Sequence, residues 1–173
     1  MATDVKTQLD VLHKISDEQW ERYRQLLPKS EDVSLVVLKG HLIIEEMLYG
    51  IAEEHCADSA PLAAAKLSFA QLLHVVHALV RLPIGQSCWR AIGLLNGIRN
   101  SLVHKLEPKE IERRLRELQE LCELKDEPLP PHYVKPTEPP KIAESCICFI
   151  IGQLSVIGVV AAFIQRNLQL PRE

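Results

Sequence analysis

The segment Arg99-Asn100-Ser101-Leu102-Val103-His104 combines a guanidinium, an amide and an imidazole, which are groups that can act on a phosphodiester. In an α-helix, Asn100 and His104 share one face because they are four residues apart, and Arg99 lies on the neighbouring strip. At 100° per residue, Arg99 and His104 are about 140° apart around the helix axis. An arginine side chain can reach round that angle, so all three polar groups could line one cleft.

These three residues have the properties needed to cleave RNA without a metal ion. A histidine can take the proton of a ribose 2′-hydroxyl or give one to the leaving 5′-oxygen, because its unperturbed pKa is near neutrality. The planar guanidinium of Arg99 can stabilise charge on the phosphate, and Asn100 can position either group. Since one histidine cannot easily be acid and base at once, two copies meeting in a dimer would complete such a site.

The elements that must position this segment are predicted to be helices. Apolar residues recur at helical intervals, bounded by prolines and capping residues. The pattern predicts helices over about Lys6–Leu27, Asp32–Ile51, Leu67–Arg81, Gln86–His104 and Pro108–Cys122, with a break at Ser59-Ala60-Pro61. Because no segment alternates with a period of two, the predicted fold class is all-α.

The C-terminal part of the chain changes composition twice. Lys125 to Lys141 contain six of the eleven prolines, which predicts an extended strap. Ser145 to Ile164 are 20 residues without a charge, a length that could span a bilayer. We therefore expect a helical bundle over residues 1–124, a proline-rich strap over 125–141 and an apolar helix over 142–173. That last helix either packs on the bundle or in a dimer interface, or crosses a membrane.

Composition and charge predict a folded cytoplasmic protein, with membrane association as the alternative. Hydrophobic residues make up 47% and charged residues 25% of the chain, as in globular domains. The net charge of −3 excludes a broad basic surface for nucleic acid, so any RNA contact must be local. The five cysteines form no CxxC pair, which argues against a zinc site and a disulfide framework. The polar N-terminus shows no secretory signal.

The segment around Arg99, Asn100 and His104 resembles the HEPN superfamily, whose members are helical bundles. Many members carry an arginine, a polar residue directly after it, and a histidine a few positions later. Similar neighbouring segments are Gly93-Leu94-Leu95-Asn96-Gly97-Ile98, Val103-His104-Lys105-Leu106 and, upstream, Gly40-His41-Leu42-Ile43-Ile44-Glu45-Glu46-Met47-Leu48. The resemblance covers about Val33 to Leu121. It implies a HEPN-like up-and-down bundle, followed here by an additional apolar helix.

This resemblance implies a metal-independent endoribonuclease that acts as a homodimer in a toxin–antitoxin or phage-defence system. Arg99, Asn100 and His104 would then be the catalytic residues, acting on an RNA substrate. The expected protein partner is an antitoxin of nucleotidyltransferase type. The alternative is a non-catalytic HEPN-like regulator or interaction module, with or without a membrane tether.

Two residues of the predicted second helix could support the motif. His41 and Glu45 are four residues apart and could face it, with Glu45 orienting His104. The alternative is an ordinary contact on a helix surface. His74 and His77 have a spacing that could hold a metal ion, but no third ligand accompanies them, so we expect neither a metal site nor a cofactor.

A basic run follows the motif. Arg113, Arg114 and Arg116 could guide an RNA backbone towards the cleft. Acidic residues surround them, and Glu112 with Arg116 forms an i,i+4 pair, so the alternative is a solvated helix face.

Overall fold

Seven helices make up the described part of the chain, and no strand occurs within it. The computed structural model describes the backbone of residues 2–80, 86–104, 108–123 and 134–168, and the side chains of residues 10–80, 86–103, 110–123 and 134–163. The helices are α1 (Ala2–Leu26), α2 (Val33–Glu54), α3 (Ala60–Ala65), α4 (Phe69–Leu79), α5 (Gln86–His104), α6 (Pro108–Cys122) and α7 (Pro139–Leu168). The predicted all-α bundle with an apolar C-terminal helix is confirmed.

The central helix is α2, against which α4, α5 and α7 pack. It begins after Asp32, whose carboxylate accepts hydrogen bonds from the amides of Ser34 (2.8 Å) and Leu35 (3.4 Å). Its N-terminal half lies very close to α7, because a Cβ on Gly40 would lie 2.8 Å from Cγ1 of Ile147. The absence of a side chain at Gly40 therefore sets how closely the two helices approach.

The apolar helix α7 packs against α1, α2 and α6. It begins at Pro139, inside the segment that composition marks as extended, because proline is tolerated in the first turn of a helix. Ile147, Ile150 and Ile151 are completely buried, and each contributes about 1.5–3 kcal/mol by leaving water. These side chains make α7 a structural part of the core.

By length and composition, α7 is also the one described helix that could cross a membrane, over Pro139–Phe163. Its most apolar window has a mean hydropathy of 2.4, and half of that window is buried inside the protein. A core helix of a soluble protein satisfies the same criterion, so this observation is weak support for a membrane span.

The start of α4 is defined by a capping box. The amide of Gln71 donates to Oγ of Ser68 (3.4 Å), and the amide of Ser68 donates to Oε1 of Gln71 (2.9 Å). Just before it lies α3, a six-residue helix where the sequence indicated only a break. Its C-cap is Lys66, which has a left-handed backbone (φ 48°). The capping box fixes where α4 begins, and α4 packs with α2 and α5.

The amphipathic helix α6 packs between α5 and α7. Its apolar stripe is buried, with Leu115 and Leu118 completely excluded from solvent and Ile111 nearly so. The opposite face carries the charged residues. Through this packing α6 links the motif-bearing helix α5 to the apolar helix α7.

Candidate functional site

The C-terminal half of α5 carries the predicted motif. Arg99 is half-buried and Asn100 is exposed, and Nη1 of Arg99 donates a hydrogen bond of 3.1 Å to Oδ1 of Asn100. The backbone of α5 ends at His104, one turn beyond Asn100. The side chain of His104 lies outside the described residues, so its predicted role stays a prediction.

Arg99 and Asn100 line a groove of about 550 Å3 between α2, the start of α4 and α5, which we call the polar groove. Both supporting residues expected from the sequence, His41 and Glu45, line the same groove. Helix packing therefore brings four of the predicted site residues together. The complete lining consists of Leu38, His41, Leu42, Glu45, Ser68, Phe69, Ala70, Asn96, Arg99 and Asn100.

His41 is the most buried polar residue of this groove, with 5% of its surface exposed. Its Nε2 lies 3.1 Å from Oδ1 of Asn96, and its ring stacks on Phe69 at a centroid distance of 4.1 Å. With Oδ1 as the acceptor, Nε2 carries the ring proton and Nδ1 keeps its lone pair.

Burial lowers the pKa of His41, because the charged imidazolium loses its hydration. The hydrogen bond to Asn96 and the charge of Glu45 oppose this effect, whereas the charge of Arg99 adds to it. The lowered pKa keeps the imidazole neutral at neutral pH. His41 therefore adds no positive charge to the groove, and Arg99 is its basic residue.

The guanidinium of Arg99 makes no ion pair with any described carboxylate, and Asn100 is its hydrogen-bond partner. The arginines of α6 differ in this respect. Arg113 and Arg114 both bind the carboxylate of Glu110, at 2.8 and 2.9 Å, and hold its pKa at about 2. A guanidinium has five N–H donors, and among the described residues only Asn100 accepts a hydrogen bond from Arg99.

The predicted RNA-guiding residues lie on α6 and not in the polar groove. Arg113 and Arg116 line a shallow surface together with Glu112, Glu117 and Glu120. Arg116 is 3.8 Å from the carboxylate of Glu112, the i,i+4 pair expected from the sequence. Acidic side chains therefore neutralise much of the positive charge of this surface.

The first turn of α4 adds a second positive feature to the polar groove. Ser68, Phe69 and Ala70 line it, and they are the cap and the first two residues of the helix. Backbone amides in a first turn have no carbonyl partner within their own helix, although here the amide of Gln71 bonds to Oγ of Ser68, and the helix dipole places partial positive charge at this end. An anion bound to Arg99 would lie in a groove that this helix end also borders.

Sequence reasoning missed Asn96, Ser68 and Phe69 as site residues. Asn96 could have been found, because it lies one helical turn before Asn100 on α5. Ser68 and Phe69 carry no such signal. They enter the groove only because the start of α4 packs between α2 and α5.

Histidines and cysteines elsewhere form no metal site in the described part of the chain. His77 stacks on Trp89 at a centroid distance of 4.7 Å, and His74 is exposed. All five cysteines are free thiols.

Comparisons of the chain with protein-family models, with curated proteins and with solved structures gave no match. Function is therefore inferred from the residues of the polar groove and from the resemblance of the segment around Arg99 to the HEPN superfamily.

Proposed function

We propose that this protein is a HEPN-like, metal-independent endoribonuclease that binds the scissile phosphate of RNA at Arg99. The observation that carries the proposal is the guanidinium of Arg99, which bonds only to Asn100 among the described residues, in a groove with a neutral histidine and the first turn of a helix. A phosphate is the anion that best matches this set, because it accepts both guanidinium and backbone N–H donors.

The reaction follows from the residue types. The ribose 2′-oxygen attacks the adjacent phosphorus, the bond from phosphorus to the 5′-oxygen breaks, and a 2′,3′-cyclic phosphate remains. His104 acts as the acid or the base, Arg99 stabilises the charge on the phosphate, and Asn100 orients the phosphate or the imidazole. Glu45 and His41 support this arrangement from α2.

A homodimer supplies the second acid or base, because one histidine cannot serve both steps at once. The net charge of −3 suits a local RNA contact and a short-lived complex. A role in a toxin–antitoxin or phage-defence system, and an antitoxin of nucleotidyltransferase type as partner, belong to the same proposal and rest on the sequence resemblance.

The test is cleavage of RNA by the full chain in the presence of a chelator. Arg99→Ala and His104→Ala should each slow cleavage by about 10²–10⁴-fold, the range typical of lost electrostatic or acid–base catalysis. Arg90→Ala and His74→Ala are matched controls, because both residues are exposed and lie outside the polar groove. Unchanged cleavage by His104→Ala, or no cleavage by the wild type, would contradict the catalytic assignment.

A non-catalytic HEPN-like regulator or interaction module is the second candidate. The contacts within the polar groove favour it. His41 is hydrogen-bonded to Asn96 and stacked on Phe69, and Arg99 is hydrogen-bonded to Asn100. Such contacts are typical of a polar cluster that stabilises the fold. This candidate predicts no RNA cleavage and no growth inhibition on overexpression. Purification without detergent would exclude a membrane tether through α7.

A further inference from the structure

A second groove, separate from the polar groove, lies between α1, α2 and α7 and has a volume of about 390 Å3. Its floor is formed by buried apolar side chains of α2 and α7, and α1 forms one wall. This size and this mainly apolar lining are typical of small-molecule sites. Apolar residues from all three helices line it, among them Leu12, Ile15, Met47, Ile51, Leu154 and Val159.

Part of this groove is open at the backbone of α2. A Cβ added to Gly50 would meet no atom within 4 Å, although Met47 and Ile51 on either side of it are buried. By contrast, a Cβ on Gly40 of the same helix would overlap Ile147. The empty space beside Gly50 is therefore part of the groove, and the other compared glycine of α2 has no such space beside it.

The charged residues among the described lining of this groove are both acidic, Glu46 and Glu54. Glu46 accepts a hydrogen bond of 3.3 Å from the hydroxyl of Tyr23 and lies 3.8 Å from Arg22. Glu54 is exposed and makes no ion pair with a described basic residue. A ligand that complements this surface is apolar along its body and positively charged at one end.

We propose that the groove between α1, α2 and α7 binds a small amphipathic amine. The apolar chain lies along Ile15, Met47 and Ile51, over the open position at Gly50, and the ammonium group lies beside Glu54. Apolar burial provides the main driving force, and the carboxylate provides selectivity for a cation.

The test compares decylamine, decanol and decanoate, three probes with the same chain length, by calorimetric titration of the full chain. The charged probes are kept below their micelle-forming concentrations and decanol below its solubility limit. Decylamine should bind about tenfold more tightly than decanoate, because the exposed carboxylate of Glu54 attracts the ammonium group and repels the carboxylate of decanoate. Glu54→Lys should reverse this preference and leave the affinity for decanol unchanged.

Gly50→Leu tests the location of the site, because leucine would fill the open position in the groove. It should weaken decylamine binding by about tenfold or more. Gly93→Leu on α5 is the matched control, since Gly93 is exposed and lies outside this groove, and it should bind decylamine as the wild type does. Equal or tighter binding of decanoate, or unchanged binding by Gly50→Leu, would overturn the proposal.

Discussion

Nε2 of His41 and Oδ1 of Asn96 are joined by a hydrogen bond of 3.1 Å that links the middle of α2 to the middle of α5. Phe69 covers the same imidazole from the start of α4. Three helices thus meet at one buried ring, which fixes their relative positions at the polar groove. Arg99 lies three residues after Asn96 on α5, so this hydrogen bond also holds the backbone that carries the predicted phosphate ligand.

Replacing Asn96 by alanine should destabilise the protein. The buried imidazole of His41 would lose its hydrogen-bond partner, and an unsatisfied buried polar group costs about 1–3 kcal/mol. Urea unfolding should show this loss in the free energy of unfolding. Asn100→Ala is the matched control, because Asn100 is exposed and its removal should cost less than about 0.5 kcal/mol. Equal effects of the two substitutions would contradict the structural role of the His41–Asn96 pair.

Acid should weaken the folded state through His41. Its pKa is lowered by burial in the folded protein, from an ordinary value of 6.5. As the pH falls below 6.5, the unfolded chain takes up a proton that the folded chain does not, so the free energy of unfolding decreases. His41 can lower the free energy of unfolding by at most about 1.4 kcal/mol for each pH unit. In the His41→Gln variant, the free energy of unfolding measured with urea should fall less between pH 7.5 and 5.5 than in the wild type. An equal fall in both proteins would exclude His41 as the proton-linked group.

Alanine substitutions at two glycines of α2 should change the stability of the protein in opposite directions. Gly50→Ala should stabilise the protein by about 1 kcal/mol, because the added Cβ meets nothing and alanine favours the helix. Gly40→Ala should destabilise it by about 1–3 kcal/mol, because the Cβ would force Ile147 and α7 to move. Thermal unfolding of both variants is the measurement. A stabilising Gly40→Ala would show that α2 and α7 are packed less closely than described.

The hydroxyl of Ser155 should be dispensable. Ser155 is completely buried in α7, and its Oγ has no hydrogen-bond partner among the described residues. Ser155→Ala removes an unsatisfied polar atom and improves helix propensity, so it should raise the free energy of unfolding by about 1 kcal/mol. Denaturant unfolding measures this change. A loss of stability would indicate that the hydroxyl has a partner, such as a buried water molecule.

Four of the residues that line the polar groove could be predicted from the sequence. Arg99 and Asn100 were found because they are adjacent on one predicted helix, and His41 and Glu45 because they share a face of another. That these two pairs face the same site was a hypothesis, because spacing within each helix does not fix how two helices pack. The structure brings all four to one groove, whereas the predicted roles of His104 and the arginines of α6 remain predictions.

The sequence alone determined the helical character of the chain, the place of the arginine–asparagine pair on α5 and the apolar nature of α7. These properties are local, because helix periodicity, capping and composition depend on residues a few positions apart. Only the tertiary structure decided that Asn96 and Phe69 meet His41, and that a second groove opens at Gly50. These depend on side chains far apart in the sequence, whose volumes set the distances between helices. Thus the residue types of the motif could be read from the chain, but the shape and charge of the groove around Arg99 required the packed helices.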